Sequence, residues 1–126
     1  MAAPTRNTKQ RAAIEGAIVS AAGPLSPAEV HEVAGAQVEN LGLATVYRAI
    51  NRLLEDGVIK AVEIPGEGPR YEAADLAHHH HFHCDACGRV FDFEGCPGDL
   101  AALAPEGFSV RAHEIVLYGR CAACGS

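Results

Sequence analysis

The sequence predicts an α+β protein in which an N-terminal winged helix-turn-helix is followed by a small zinc-stapled α/β module. Two observations support this. Three helix patterns precede a strand-turn-strand pattern in the first half, and two Cys-x-x-Cys pairs, Cys84/Cys87 and Cys121/Cys124, lie in the second half. Since the chain has only 126 residues, the second half would have too small a core without a metal.

The first helix is predicted over residues 8–22. Ile14 and Ile18 recur there at helical spacing, and the Gly23-Pro24 dipeptide ends the pattern. The second helix is predicted to begin after Ser26 and to run to about Gly35. Its start combines a Ser-x-x-Glu capping box with a proline at the first helical position, which is typical of a helix N-terminus.

The third helix is predicted over residues 44–56, closed by Gly57. Its apolar side chains share one face, so that polar side chains point outward. Strands over residues 58–64 and 70–72, joined by a Pro/Gly-rich turn, then complete the wing. The apolar face consists of Val46, Ile50, Leu53 and Leu54.

The outward face of the third helix carries donors suited to base edges and phosphates, which favours DNA as the partner. Basic residues on the first helix and the wing would add phosphate contacts. A three-helix domain that binds protein instead would also explain the helix patterns. The predicted DNA-contacting residues are Arg11, Thr45, Tyr47, Arg48, Asn51, Arg52, Lys60 and Arg70.

The net charge of −6 argues at first sight against a polyanionic partner. Its distribution changes that conclusion. Residues 1–60 hold six basic and six acidic side chains, whereas residues 61–126 hold four basic and ten acidic ones. The acidic excess therefore lies with the candidate metal ligands, and the first half can still meet DNA.

The four paired cysteines match a tetrahedral zinc site, since two Cys-x-x-Cys turns supply four sulfurs with little strain. Free or redox-active thiols are the alternative. The fifth cysteine, Cys96, lies in a Gly-Cys-Pro-Gly turn and is expected to be inert. Around these cysteines the sequence predicts a strand, turn and strand over residues 82–93, a short helix over 99–103 and a strand over 108–118.

A run of four histidines, residues 78–81, precedes the first cysteine pair. Side chains alternate along a strand, so His79 and His81 would share one face while His78 and His80 share the other. The run could thus serve two ions. Imidazoles suit a more exchangeable metal than a four-thiolate site does.

Other classes fit less well. The sequence has no His-Glu-x-x-His motif or nucleophile motif, which argues against a metalloenzyme. No stretch is long and apolar enough to span a membrane, and the start has no secretion signal, so we expect a cytoplasmic protein. A zinc-ribbon protein that binds other proteins and not DNA would explain the second half but not the polar face of the third helix.

The chain resembles the ferric uptake regulator family, whose members are dimeric, metal-dependent bacterial transcription regulators. The resemblance rests on the order of four motifs: Gly-Leu-Ala-Thr-Val-Tyr-Arg at residues 42–48, the histidine run, Cys-x-x-Cys-Gly, and Tyr-Gly-Arg-Cys at residues 118–121. It implies a winged-helix DNA-binding domain over residues 1–73, a hinge over 74–77 and a metal-binding dimerisation domain over 78–126. It also implies a homodimer bound to a double-stranded operator.

Position by position, the resemblance implies three metal sites. The structural zinc ligands would be Cys84, Cys87, Cys121 and Cys124. The regulatory ligands at the hinge would be Glu72, His79, His81 and Asp92. The ligands of a second site would be His78, His80, Asp99 and His113.

The chain departs from the family at two places. Pro24 stands where a hinge-site histidine often precedes the second helix, so Glu72 would be the ligand from the DNA-binding side. Ala73-Ala74 stands where zinc-sensing members often have a cysteine, and because a thiolate would favour zinc, its absence leaves iron and manganese open. The regulatory metal is therefore expected to be Fe²⁺, Mn²⁺ or Zn²⁺. The resemblance implies a repressor of metal-uptake or homeostasis genes, and a peroxide sensor of the same family is the alternative.

Overall fold

A computed structural model describes residues 5–98 and 100–125, which fall into two compact units divided after Leu76. In the first unit, helices α1 (Arg6–Val19), α2 (Pro27–Gly35) and α3 (Leu43–Glu55) precede strands β1 (Ile59–Val62) and β2 (Arg70–Ala73). The second unit contains β3 (His80–Cys84), β4 (Val90–Phe93), a 3-10 helix (Leu100–Leu103) and β5 (Val116–Gly119). The predicted α+β fold class is confirmed. No described helix is long and apolar enough to cross a membrane.

The first unit is a three-helix core with an antiparallel hairpin. β1 pairs with β2. Leu25, in the loop before α2, forms an antiparallel bridge with Tyr71 of β2 through two backbone hydrogen bonds of 2.9 Å. Each helix contributes side chains to the core, and Ile14, Val30 and Ile50, one from each helix, are at most 1% exposed. Each contributes about 1.5–3 kcal/mol through burial.

The helix ends follow local chemistry. Ser26 and Glu29 form the predicted capping box, and α2 begins at Pro27 as expected. α3 ends before Gly57, whose φ of 72° is favourable only for glycine and lets residue 58 bond back to the carbonyl of Leu53. α1 ends at Val19 and not at residue 22, with Ser20 as its C-cap, whose N–H donates to the Gly16 carbonyl at 3.1 Å.

Arg70 has a structural role in the first unit. Its guanidinium is 6% exposed, donates to the Pro24 carbonyl at 3.1 Å, and pairs with Glu29 and Glu67. It therefore ties the return strand of the wing to the N-terminus of α2. Because its charge is already paired inside the unit, Arg70 has less to offer a DNA phosphate than an exposed arginine, and its DNA contact stays a prediction.

Replacing Arg70 with methionine is expected to destabilise the first unit by about 3 kcal/mol, because Glu29 and Glu67 lose a largely buried counter-charge. Urea unfolding followed by far-ultraviolet ellipticity measures this, since helices α1–α3 all belong to this unit. The matched control is Arg11→Met. Arg11 pairs with Asp56 at 3.2 Å, but both side chains are at least 40% exposed, so the loss should stay within about 1 kcal/mol. Equal losses in the two variants would refute the structural role of Arg70.

The second unit is a three-stranded sheet of order β4-β3-β5. β3 pairs antiparallel with β4 and parallel with β5. In the described part of this unit only two apolar side chains, Cys84 and Val90, are buried. Such a core is too small to hold the sheet by burial alone, which agrees with the expectation of a metal staple.

The predicted strand over residues 108–118 is wrong in its first part. Only Val116–Gly119 pairs, with β3 as its neighbour. Residues 108–114 carry the alternating pattern but lie in no described strand, and Phe108 is 71% exposed. Ile115 accepts the His81 N–H through its carbonyl at 3.1 Å, just before β5 begins. An alternating pattern predicts which way side chains point, but a strand also needs a hydrogen-bonding partner.

Candidate metal centres and the outward face of α3

The four paired cysteines lie together at one end of the second sheet. Cys84 ends β3, and the parallel register that sets Cys84 against Gly119 brings the Cys121 turn beside it. Gly119 also lets the Phe82 ring pack closely on β5, because a Cβ there would lie 3.2 Å from that ring.

The sulfurs of the four-cysteine cluster fit a zinc ion. All four Sγ atoms lie within 4.8 Å of one another, and those of Cys87 and Cys121 are 4.0 Å apart. A tetrahedral zinc site with bonds of 2.3 Å has sulfurs about 3.8 Å apart.

Hydrogen bonding sets the charge on these sulfurs. The backbone N–H groups of Cys87 and Cys121 donate to Cys84 Sγ at 3.5 and 3.3 Å, and they lower the pKa of Cys84 to about 6. Contacts with the sulfurs of Cys121 and Cys84 raise the pKa of Cys124 to about 12. Hydrogen bonds thus favour the thiolate form of Cys84 and the protonated form of Cys124. A divalent cation would favour the thiolate form of all four sulfurs, so the donor set fits zinc.

A second group of donors, within the second unit, consists of His79, His81 and Asp92. The Nε2 atoms of the two histidines lie 3.7 and 3.3 Å from Asp92 Oδ1. Asp92 faces His81 across the β3–β4 pair. His79 donates from Nδ1 to the Ala77 carbonyl at 2.7 Å, which leaves its Nε2 lone pair available to a metal.

The other two histidines of the run lie on the opposite side, in the inner cluster of His78, His80, Cys96 and His113. His80 is 1% exposed, and its Nε2 lies 3.2 Å from Nε2 of His78. The Ile115 N–H donates to Nδ1 of His80, so the neutral ring carries its proton on Nε2, and a metal bound there would displace that proton. Burial, followed by the nearby imidazoles of His78 and His113, lowers the pKa of His80, which favours the neutral form that ligates metals.

The fourth predicted ligand of this inner cluster, Asp99, lies outside the described residues. Among the described residues, Cys96 belongs to this cluster, with its Sγ 3.3 Å from Nε2 of His113. Sequence reasoning did not place Cys96 there. Cys96 and His113 are separated by 17 positions, and no spacing motif joins them.

The polar face of α3 lies on the surface of the first unit. Tyr47 is 49% exposed, and Arg48, Asn51 and Arg52 are also exposed, while Thr45 is half-buried and accepts a hydrogen bond from Arg48 at 3.0 Å. The buried positions are Val46, Ile50 and Leu53. The buried side chains fix α3 in the first unit, so its polar face stays exposed and can contact a partner molecule.

Two of the predicted phosphate contacts, Arg11 and Arg52, share one acidic neighbour. Both guanidinium groups lie within 3.4 Å of Asp56 Oδ2, and all three side chains are at least 40% exposed. Exposed pairs of this kind contribute about 0–1 kcal/mol, so a phosphate can replace Asp56 as the partner. On the wing, Lys60 is 47% exposed and lies 3.7 Å from Glu72, whose side chain is 3% exposed.

The comparisons of this chain with known proteins agree with one another. A model of the ferric uptake regulator family matches residues 2–118. The chain is 37% identical over 90 residues to the ferric uptake regulation protein of Campylobacter jejuni, covering 69% of this chain and 57% of that protein. It is 32% identical over 128 residues to the zinc uptake regulation protein of Mycobacterium tuberculosis, covering 99% of this chain and 98% of that protein.

A solved structure supports the same fold. The Helicobacter pylori ferric uptake regulator, whose structure reveals three functional metal-binding sites, is 26% identical with a TM-score of 0.68, covering 92% of this chain and 79% of that one. The chain spans less than two thirds of the length of the Campylobacter relative.

Proposed function

The chain belongs to the ferric uptake regulator family, and on that premise we propose that it is a metal-responsive, DNA-binding transcription regulator. It represses genes of metal uptake or homeostasis, acts in the cytoplasm as a homodimer, and binds operator DNA when a divalent metal is present. Family membership implies a transcription factor, and we assign no catalytic step to any residue. The observation that carries the proposal is the pairing of an exposed polar helix face in the first unit with convergent metal donors in the second.

The four-cysteine cluster is proposed to hold structural zinc. The donor set supports this, since four sulfurs at these separations match a closed tetrahedral site. Bound there, Zn²⁺ would supply the cohesion that the small apolar core of the second unit lacks.

His79, His81 and Asp92 are proposed to hold the regulatory metal, Fe²⁺, Mn²⁺ or Zn²⁺. Family resemblance adds Glu72, which lies on the last strand of the first unit. Because its carboxylate comes from the DNA-binding side, occupancy of all four ligands would link the two units. Two recognition helices of the dimer would then meet major-groove faces about 34 Å apart. The metal then raises operator affinity by the factor by which it binds more tightly when the two units are linked in this way than when they are not.

DNA binding through α3 is tested by Arg48→Ala and Tyr47→Phe. Each should weaken binding to a selected operator by about 1–3 kcal/mol, because each removes a donor from the exposed face and leaves the core intact. Fluorescence anisotropy measures this with duplexes selected from a random library by the metal-loaded protein.

A wing variant serves as the contrast. Lys60→Ala should lower affinity for all sequences and reduce the salt slope by about 0.9, since a lysine neutralises phosphate without reading bases. Full operator affinity in both α3 variants would move the recognition surface elsewhere. No metal-dependent DNA binding by the unmutated chain would overturn the proposed function.

A further inference from the structure

Among its described donors the inner cluster includes a thiol, that of Cys96, which the family resemblance does not predict. Cys96 lies between β4 and the 3-10 helix, in a turn that ends at Gly98, whose φ is 103°. This backbone conformation strongly favours glycine and turns the chain sharply after Cys96. The turn sets the Cys96 sulfur beside His113, from the segment before β5.

The four side chains offer atoms at coordination distances. One donor atom from each of His78, His80, Cys96 and His113 lies within 4.8 Å of the other three. In a tetrahedral zinc site, nitrogens are about 3.3 Å apart and a nitrogen and a sulfur about 3.6 Å apart. The corresponding distances here are 3.2 Å between His78 and His80, and 3.3 Å between Cys96 and His113.

We propose that Cys96 is a metal ligand of the inner cluster, so that this site binds zinc through three imidazoles and one thiolate. The inference deepens the proposed function, on which it rests, by assigning the inner site a metal preference. It also replaces the expectation that Cys96 is inert.

The donor chemistry supports zinc at this site. A thiolate is a soft ligand that favours Zn²⁺ over Mn²⁺, whereas a carboxylate suits Mn²⁺ as well. Zinc is also commonly held by mixed sulfur and nitrogen sets with four ligands. The donor count separates this cluster from the four-cysteine cluster, because it offers one thiolate where the other offers four. Four thiolates form the closed structural type of zinc site, so the four-cysteine site should retain zinc while the inner site exchanges its ion.

The test uses the full chain with its structural zinc bound, titrated with Co²⁺. Binding in the inner site should add a thiolate-to-cobalt charge-transfer band. The Cys96→Ser variant should lack the band, and competition with a chelator should show its zinc affinity at the inner site lowered by at least about tenfold. Zinc retained at one ion per chain after the titration excludes exchange at the four-cysteine site.

Two further variants test whether the band depends on Cys96. His83→Ala changes a histidine of β3 that pairs with Asp85 and belongs to none of the metal-donor clusters among the described residues, so the band should persist. Cys96→Asp should bind metal without the band and lose much of its preference for zinc over manganese. A wild-type chain that binds Co²⁺ without the band, or a Cys96→Ser chain that keeps both band and affinity, would overturn the proposal. Anisotropy with operator DNA is scored separately, so failure of the regulator function is a different result.

Discussion

Replacing Cys121 with serine is expected to release the tightly held zinc, unfold the second unit and abolish the dimer. The second unit has few buried apolar groups, and structural zinc in small domains contributes about 10–16 kcal/mol of apparent binding free energy. No plausible repacking of Cys84 and Val90 offsets a loss of that size. Elemental analysis, near-ultraviolet dichroism and sedimentation measure the three effects.

The matched control is Cys96→Ser, since Cys96 belongs to the inner cluster and not to the four-cysteine cluster. It should keep one tightly held zinc per chain and remain a dimer. The first unit should stay folded in both variants, because its core is complete without the second. If Cys96→Ser released the tight zinc and Cys121→Ser did not, the ligand assignment would be reversed.

His81→Ala should eliminate the metal-dependent gain in operator affinity. Its Nε2 lies 3.3 Å from Asp92 Oδ1, so the variant removes a central donor of the proposed regulatory site. Coupling between two binding sites commonly amounts to 1–3 kcal/mol, so the gain at stake is about 5- to 150-fold. Metal titrations followed by operator anisotropy measure it, with His83→Ala as the same-strand control.

Variants of the remaining proposed ligands are expected to differ in how strongly they reduce the metal response. His79→Ala and Glu72→Ala should behave like His81→Ala, whereas His80→Ala should lower the apparent metal affinity without abolishing the response. His80 belongs to a cluster contained within the second unit, so its effect on operator binding is indirect. A normal response in Glu72→Ala together with none in His80→Ala would assign sensing to the inner site.

Local chemistry made much of the fold predictable. The capping box at Ser26 and the glycine after α3 act within a few residues, so their consequences can be read directly from the sequence. The apolar face of α3 also predicted its buried residues, because helical spacing alone determines which side chains share a face.

Long-range pairing was not predictable in the same way. The role of Arg70 depends on Glu29, 41 residues away, and the place of Cys96 depends on the path of the chain before β5. Residues 108–114 show the related limit, since their pattern is that of a strand but they join no strand of the described chain. Sequence patterns report local geometry, whereas these outcomes depend on which distant segment of the chain packs against the residue in the fold.

The parallel pairing of β3 with β5 also bears on how the protein folds. Cys87 and Cys121 are separated by 34 residues, and closing a flexible loop of that length costs about 3 kcal/mol before any contact forms. The first unit has an antiparallel hairpin and neighbouring helices, so its contacts are more local and should form faster. A newly made chain would thus fold its first unit before zinc binding stabilises the second unit. Zinc supply during synthesis would then set the number of fully folded chains, on a slower timescale than ion exchange at the inner cluster.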